Sequence, residues 1–352
     1  MDVAKYTLIG FLLGIGALLL MRALAPRLGL IDIPDARKTH GEPVPVVGGV
    51  SIFLALCVSV LFMSEIPHGF DWLLLAGALL IAIGLLDDRY QLRASVRMLG
   101  QSVVALIMVF GADLVIRTMG APFFTGEIHT GLLAVPFTVL VTVTVINALN
   151  MTDGMDGLAG SFSLVSLLPM MLLLLVAGRW AEAGFLGALM GALLAFLSFN
   201  FPMIWNRRVR TFMGDAGSTF LGLVIVWVGI SINQGEERLI SPVAGLWFIA
   251  APVHELIASA IRRGRKGQAF WIPDLGHAHH IFLKAGFTTR QALWVMMFVA
   301  LCHGLIGLSG PVLGVPDGVL FTLWVAAGLL HIWVVQKAWV FSKILGIMRT
   351  DL

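Results

Sequence analysis

Residues 132–177 read LLAVPFTVLVTVTVINALNMTDGMDGLAGSFSLVSLLPMMLLLLVA, and the fold follows from this stretch. Two apolar runs, 132–149 and 158–177, flank a polar turn. Each is long enough to cross a hydrocarbon core of about 30 Å, which takes roughly 20 residues of helix. The turn holds Asp153 and Asp156, three residues apart among glycines. Acids are costly beside hydrocarbon and persist there for function. Glycines let the backbone take positive φ and let a ligand approach the main chain. Asn147 and Asn150 place two amides one turn apart on the preceding helix. A turn that merely joined two spans would need neither the paired acids nor the paired amides.

The rest of the chain repeats the pattern. Of its 352 residues 59% are hydrophobic and 12% charged, where soluble chains carry about 25% charged residues. The mean hydropathy of +0.95 says the same. An all-α, polytopic membrane bundle is expected. It has about eleven spans, near 3–24, 47–64, 71–86, 98–116, 132–149, 158–177, 183–203, 216–233, 241–261, 291–309 and 319–336. Cys57 and Cys302 fall inside apolar runs and read as small buried hydrophobes, and no Cys/His zinc spacing occurs. Segments 22–46, 87–97, 147–157, 204–215, 262–290 and the tail after 336 hold 19 of the 23 Lys and Arg residues. Basic loops stay in the cytoplasm, so the N-terminus is expected outside and the C-terminus inside. The outward loops read as plain connectors. Gly10-x-x-x-Gly14 and Gly187-x-x-x-Gly191 suit close helix approach. The tail KAWVFSKILGIMR (337–349) reads as an amphipathic helix along the inner interface.

With this topology the acids gather on one side. Asp87 and Asp88 end the third span, Asp153 and Asp156 follow the fifth, and Asp215 opens the eighth in FMGDAGST. Asp274 lies in the large loop. Hard carboxylate oxygens beside a phosphate substrate suit Mg²⁺ or Mn²⁺. Adjacent like charges push one carboxyl pKa upward, which suits a base. The start of the eighth span offers free amides to an anion, and Asp215 is equally suited to cap it. Lys38, Arg97, Arg207, Arg208 and Arg210 are cations in the same loops, placed to grip phosphate or simply obeying the charge rule. His277, His279 and His280 suit a diphosphate better than a metal. His254, His303 and His331, inside spans, read as packing residues, whereas Glu255 must face the bundle or a cavity.

Five stretches carry a family resemblance: LIDIPDARKTHGEPVPVVGG (30–49), LLDDR (85–89), INALNMTDGMDGLAG (146–160), FMGDAGST (212–219), and HAHH with KAGFTTRQA (277–292). The chain resembles the polyprenyl-phosphate N-acetylhexosamine-1-phosphate transferases, most of all the bacterial branch that transfers N-acetylglucosamine 1-phosphate to undecaprenyl phosphate and initiates O-antigen. The resemblance implies one membrane-embedded domain over 1–352 in the bacterial inner membrane. Its active-site loops would be 25–46, 87–97, 147–157, 204–215 and 262–290, facing the cytoplasm. It implies Mg²⁺ or Mn²⁺ as cofactor, held by Asp215, Asp153 and Asp156. Asp87 or Asp88 would serve the lipid phosphate as base. Phe212 would stack on uracil, and Asn147, Asn150, Lys38, Arg97, His277, His279 and His280 would contact substrate. The implied partners are a UDP-amino sugar, undecaprenyl phosphate and the bilayer, with a second copy of the chain as a candidate and no nucleic acid.

Two positions depart from the family pattern. Leu275 stands where an arginine is expected after Pro-Asp, and Glu255 where an aspartate is usual. Both bear on which amino sugar is taken. The peptidoglycan enzyme of the same family, which uses UDP-muramoyl-pentapeptide, is the near alternative, and a transporter the distant one. Direct attack by the lipid phosphate and a two-step route through an aspartyl phosphate both remain open.

Overall fold

A computed structural model describes residues 3–33, 42–202, 210–268 and 276–344, with side chains only to 337 in the last segment. The chain opens with α1, Val3–Leu28, followed by a two-residue strand β1, Ile31–Asp32, antiparallel to β2, Val44–Pro45. Then come α2, Gly48–Val60; α3, Phe70–Tyr90; α4, Ala94–Ala112; and α5, Ala134–Asn150. The acidic turn leads to α6, Leu158–Val176, and α7, Trp180–Asn200. After α8, Gly214–Asn233, the chain forms α9, Pro242–Leu246, and α10, Ala250–Arg265, joined by a 3₁₀ turn at Trp247–Ile249. A short α11, Ala278–Lys284, precedes α12, Thr289–Val312, and α13, Asp317–Ile344.

Among the described residues ten helical segments are long and apolar enough to cross a membrane, α9 and α10 counting as one interrupted span. This is a multi-pass membrane bundle. The expected second span differs: α2 has only 13 residues, about 20 Å at 1.5 Å per residue. The helix starts where expected but stops at Val60, where the Leu61, Phe62 and Met63 N–H groups tighten onto the Val58, Ser59 and Val60 carbonyls. Ahead of it residues 44–46 pair with β1 and, through Val46, with Phe212. The ninth span breaks where Pro252 removes a backbone donor near the start of α10. Of the expected interfacial tail, residues 337–344 continue α13 as helix, and residues 345–349 lie outside the described residues.

The hub is α8, buried at every position from Ala216 to Val228. Helices α2, α3, α5 and α6 pack around it. Glycine makes the closest contacts possible. A Cβ on Gly49 would lie 2.1 Å from the Gly217 nitrogen, and one on Gly84 2.2 Å from the Ala216 Cα. The two glycine patterns expected to allow close approach meet each other on α1 and α7, for a Cβ on Gly10 or Gly191 would meet a carbonyl of the other helix at 2.0 Å. Helix α1 buries one stripe, Tyr6, Gly10, Gly14, Leu18, Met21 and Ala25, and leaves Leu8, Leu12, Leu19 and Leu20 outward. An outer face that is itself apolar suits lipid, not water.

The far loop, 113–130, is more than a connector. The Gln234 amide accepts from the Arg117 and Thr118 N–H groups at 2.9 and 3.1 Å and donates to the Thr118 carbonyl at 3.0 Å. Glu127 pairs with Arg238, and Asp317 accepts from the Ala121 N–H and the Ser241 hydroxyl.

Candidate active site

At the opposite end of the bundle the acidic motifs meet around a cavity of about 630 Å³. Asp88, Asp153, Asp156 and Asp215 line it, with Phe212 and His280 among the other walls. Three of the four acidic motifs therefore converge as the sequence implies, although their partners differ from one carboxylate to the next.

The segment before α8 is set by backbone bonds. The Phe212 N–H donates to the Pro45 carbonyl at 2.8 Å, and the Gly48 and Gly49 N–H groups donate to Phe212 and Met213 carbonyls at 2.9 Å. Gly214 turns the chain at φ 76°, the left-handed region, and a Cβ there would lie 2.6 Å from Asp88. Asp88 in turn accepts from the Asp215 N–H at 2.9 Å. A carboxylate from α3 thus caps α8, where orphan amides and the helix dipole favour negative charge. Its neighbour faces elsewhere. Asp87, 5% exposed, accepts from the Leu92 N–H at 2.7 Å and from Arg97 at 2.8 Å. Arg97 also reaches Asp215 at 3.6 Å.

Asn150 donates to Asp215 at 2.6 Å and to Ser218 at 2.9 Å, while Asn147 donates to Gln101 at 2.6 Å and to the Val143 carbonyl at 2.7 Å. The two amides lie about one turn apart on α5 but act differently, since Asn150 orients an acid and Asn147 braces α5 on α4. Asp156 pairs with Arg210. Among the described residues Asp153 is the least compensated of these acids. Burial, then the carboxylates of Asp215, Asp88 and Asp156, push its carboxyl well above the usual range, against a hydrogen bond from the Gly214 backbone.

The three loop histidines separate. His280 lines the cavity. His279 is buried against the acidic turn, since a Cβ on Gly154 would lie 2.5 Å from its Nε2. Burial first, then His280 and His277, push its pKa down to about 3, so the ring is neutral. His277 is turned away and meets Glu255 through Nδ1 at 3.0 Å. Glu255 faces the bundle, as an acid in a span must, and its second oxygen meets His331 Nε2 at 2.9 Å. His331 is therefore not the packing residue expected of it. His254 does pack, against Trp324 and His303, although neither of its ring nitrogens has a partner among the described residues. Lys38, Arg207, Arg208, Asp274 and Leu275 lie outside the described residues.

Two site residues escape a reading of motifs. Asn200 accepts from the Gly157 N–H at 2.7 Å and donates to the Thr211 carbonyl at 2.8 Å, tying the acidic turn to the segment before α8. Its signal was an amide ending an otherwise apolar run, immediately before Phe201-Pro202. Gln101, 3% exposed, was a lone amide inside the fourth span.

The donor set fits a hard divalent ion. Among the described residues five aspartates, Asp32, Asp88, Asp153, Asp156 and Asp215, line the cavity with Arg210. Among the described residues no three His, Cys, Asp or Glu side chains are grouped to hold an ion unaided. Mg²⁺ asks for less: one or two carboxylates, with water and substrate phosphate completing the shell.

The family described as glycosyl transferase family 4 matches residues 71–233. The undecaprenyl-phosphate alpha-N-acetylglucosaminyl 1-phosphate transferase of Yersinia pestis is 36% identical over 331 residues, covering 94% of this chain and 90% of its own. Its counterpart in Salmonella typhi is 35% identical over 92% of this chain and 88% of its own. That of Haemophilus influenzae is 33% identical over 93% and 92%.

Proposed function

This chain belongs to glycosyl transferase family 4, and from that premise we propose that its acidic cavity moves N-acetylglucosamine 1-phosphate from a UDP-sugar to undecaprenyl phosphate. The coarser activity, transfer of a sugar phosphate to a polyprenyl phosphate, is that of its relatives. One observation carries the reading. Asp88, Asp153 and Asp215 meet on the wall of a cavity that also offers Phe212 as a flat aromatic face and His280 as a polar group.

In the reaction an oxygen of the lipid phosphate attacks the sugar-bearing phosphorus, the bond to the UMP oxygen breaks, and UMP leaves with the electron pair. A lipid phosphate is already anionic near neutral pH, so alignment matters more than proton removal. The bonds held by Asp87 and Asp88 support this, because both acids are occupied in bracing Arg97 and α8. When bound, a divalent cation supplies charge neutralisation at the transferring phosphate. Asp215 and Asp153 are the residues to hold it, with Asp156 restrained by Arg210. Phe212 stacks the uracil, Asn150 orients Asp215, and His280 contacts the sugar or diphosphate. The charge asymmetry of the loops supports a cytoplasmic site in the inner membrane, and the lipid-linked diphosphosugar would prime O-antigen or a related surface polysaccharide. The test is UMP release in lipid nanodiscs from UDP-N-acetylglucosamine, its 4-epimer and UDP-muramoyl-pentapeptide. Preference for the muramoyl substrate would overturn the assignment of the sugar.

A further inference from the structure

We propose that Glu255 and His331 are positioning residues through which the last helix, α13, sets the histidine loop at the cavity. Glu255 is 3% exposed and sits on α10. Its Oε1 meets His277 Nδ1 at 3.0 Å and accepts from the Ala278 N–H at 3.2 Å, and its Oε2 meets His331 Nε2 at 2.9 Å. One carboxylate thus joins α10, α11 and α13. Removing either partner of a buried, charge-assisted pair leaves the other unsatisfied, which is why such groups hold geometry strongly. Held through Nδ1 by the Glu255 carboxylate, the His277 ring has its orientation set.

The consequence reaches the cavity through two neighbouring residues. With His277 and the first amide of α11 held by Glu255, His279 lies on the Gly154 backbone of the acidic turn and His280 faces the cavity. Helix α13 is a peripheral element, little of it buried against the bundle. Nothing in its apolar outer face requires a histidine, yet His331 turns inward to complete the Glu255 site. Gly328, one turn earlier on the same face, lets α13 sit against His254, where a Cβ would come within 3.0 Å of the ring. Neither Glu255 nor His331 lines the cavity, so their effect on the reaction runs through the loop.

The inference rests on reading the histidine loop as the sugar-nucleotide side of the site, and its test separates the two. His331→Ala, His331→Gln and Glu255→Asp are prepared in the full chain in nanodiscs. Hydrogen exchange is followed over residues 277–284, and steady-state UMP release is measured with UDP-N-acetylglucosamine and undecaprenyl phosphate. The glutamine variant keeps an N–H donor for Oε2; the aspartate keeps the charge but is too short to span both imidazoles. His331→Ala and Glu255→Asp are expected to speed exchange in 277–284 and to raise KM for the UDP-sugar about tenfold, the loss expected of one charge-assisted bond. KM for the lipid phosphate stays unchanged, and His331→Gln returns both readouts to near wild type. Wild-type exchange and KM in folded His331→Ala or Glu255→Asp would overturn the proposal. Faster exchange in an enzyme whose wild type releases no UMP from any UDP-sugar would sustain the positioning link and refute the substrate reading alone.

Discussion

Asn200 offers the sharpest test of the site, because it joins two loops that carry the chemistry and belongs to neither. Its side chain bridges the Gly157 N–H at 2.7 Å and the Thr211 carbonyl at 2.8 Å. Asn200→Ala strands both main-chain groups. Each buried group left without a partner costs about 1–3 kcal/mol. The residue borders the cavity, so water reaches part of the gap, and the lower end applies to each. The sum is about 2 kcal/mol, equivalent to roughly a thirtyfold change. That energy holds Asp153, Asp156 and Phe212 in register, so kcat/KM for the UDP-sugar should fall by about that factor. Asn200→Asp keeps the acceptor for Gly157 but faces the Thr211 carbonyl with a second acceptor and adds charge near Asp156. It should fall at least as far. The assay is UMP release in nanodiscs alongside a thermal unfolding scan. A folded Asn200→Ala enzyme within twofold of wild type would refute the view that this bridge orders the site.

Other expectations follow from the acids and the loops. Asp215→Asn, or excess EDTA with the unaltered chain, should abolish UMP release, and near-normal turnover in either case would remove the cation from the scheme. Asp153 gives the stability of the cation-free protein a pH slope: its folded pKa lies above its unfolded value near 3.9. Its contribution is therefore fullest below about pH 4 and is lost as pH rises through the raised value. Mg²⁺ should then raise Tm more at about pH 8 than at about pH 5, and an equal gain at both would contradict the uncompensated charge. Cysteines at Ser95 and Thr289 should react with an impermeant reagent only from the cytoplasm, and one at Glu236 only from outside. Labelling of Thr289 and Glu236 from the same side would overturn the proposed topology.

Much of this protein is legible in one dimension, for a physical reason. Bilayer thickness fixes the length of an apolar helix, so run length located the ten long segments without knowledge of any contact, along with an eleventh, 47–64, that proved shorter. Acids at the ends of those runs are costly, so their positions marked the site end, and the two glycine-rich stretches announced close helix approach that the α1–α7 seam bears out. Even the break in the ninth span has a local proline behind it. What the chain order withheld was the pairing of each polar group. Asp87 and Asp88 are adjacent in sequence, yet one turns to Arg97 on α4 and the other to the amides of α8. Asn200 serves residues 43 and 11 positions away, and Glu255 a histidine 76 positions away. Those partnerships depend on how far each helix is rotated and how deeply it sits. Both are decided by non-local packing, such as the Gly49–Gly217 contact that brings the starts of α2 and α8 together. Hydropathy records that a helix spans the membrane, but carries little about which neighbour each buried polar atom will meet.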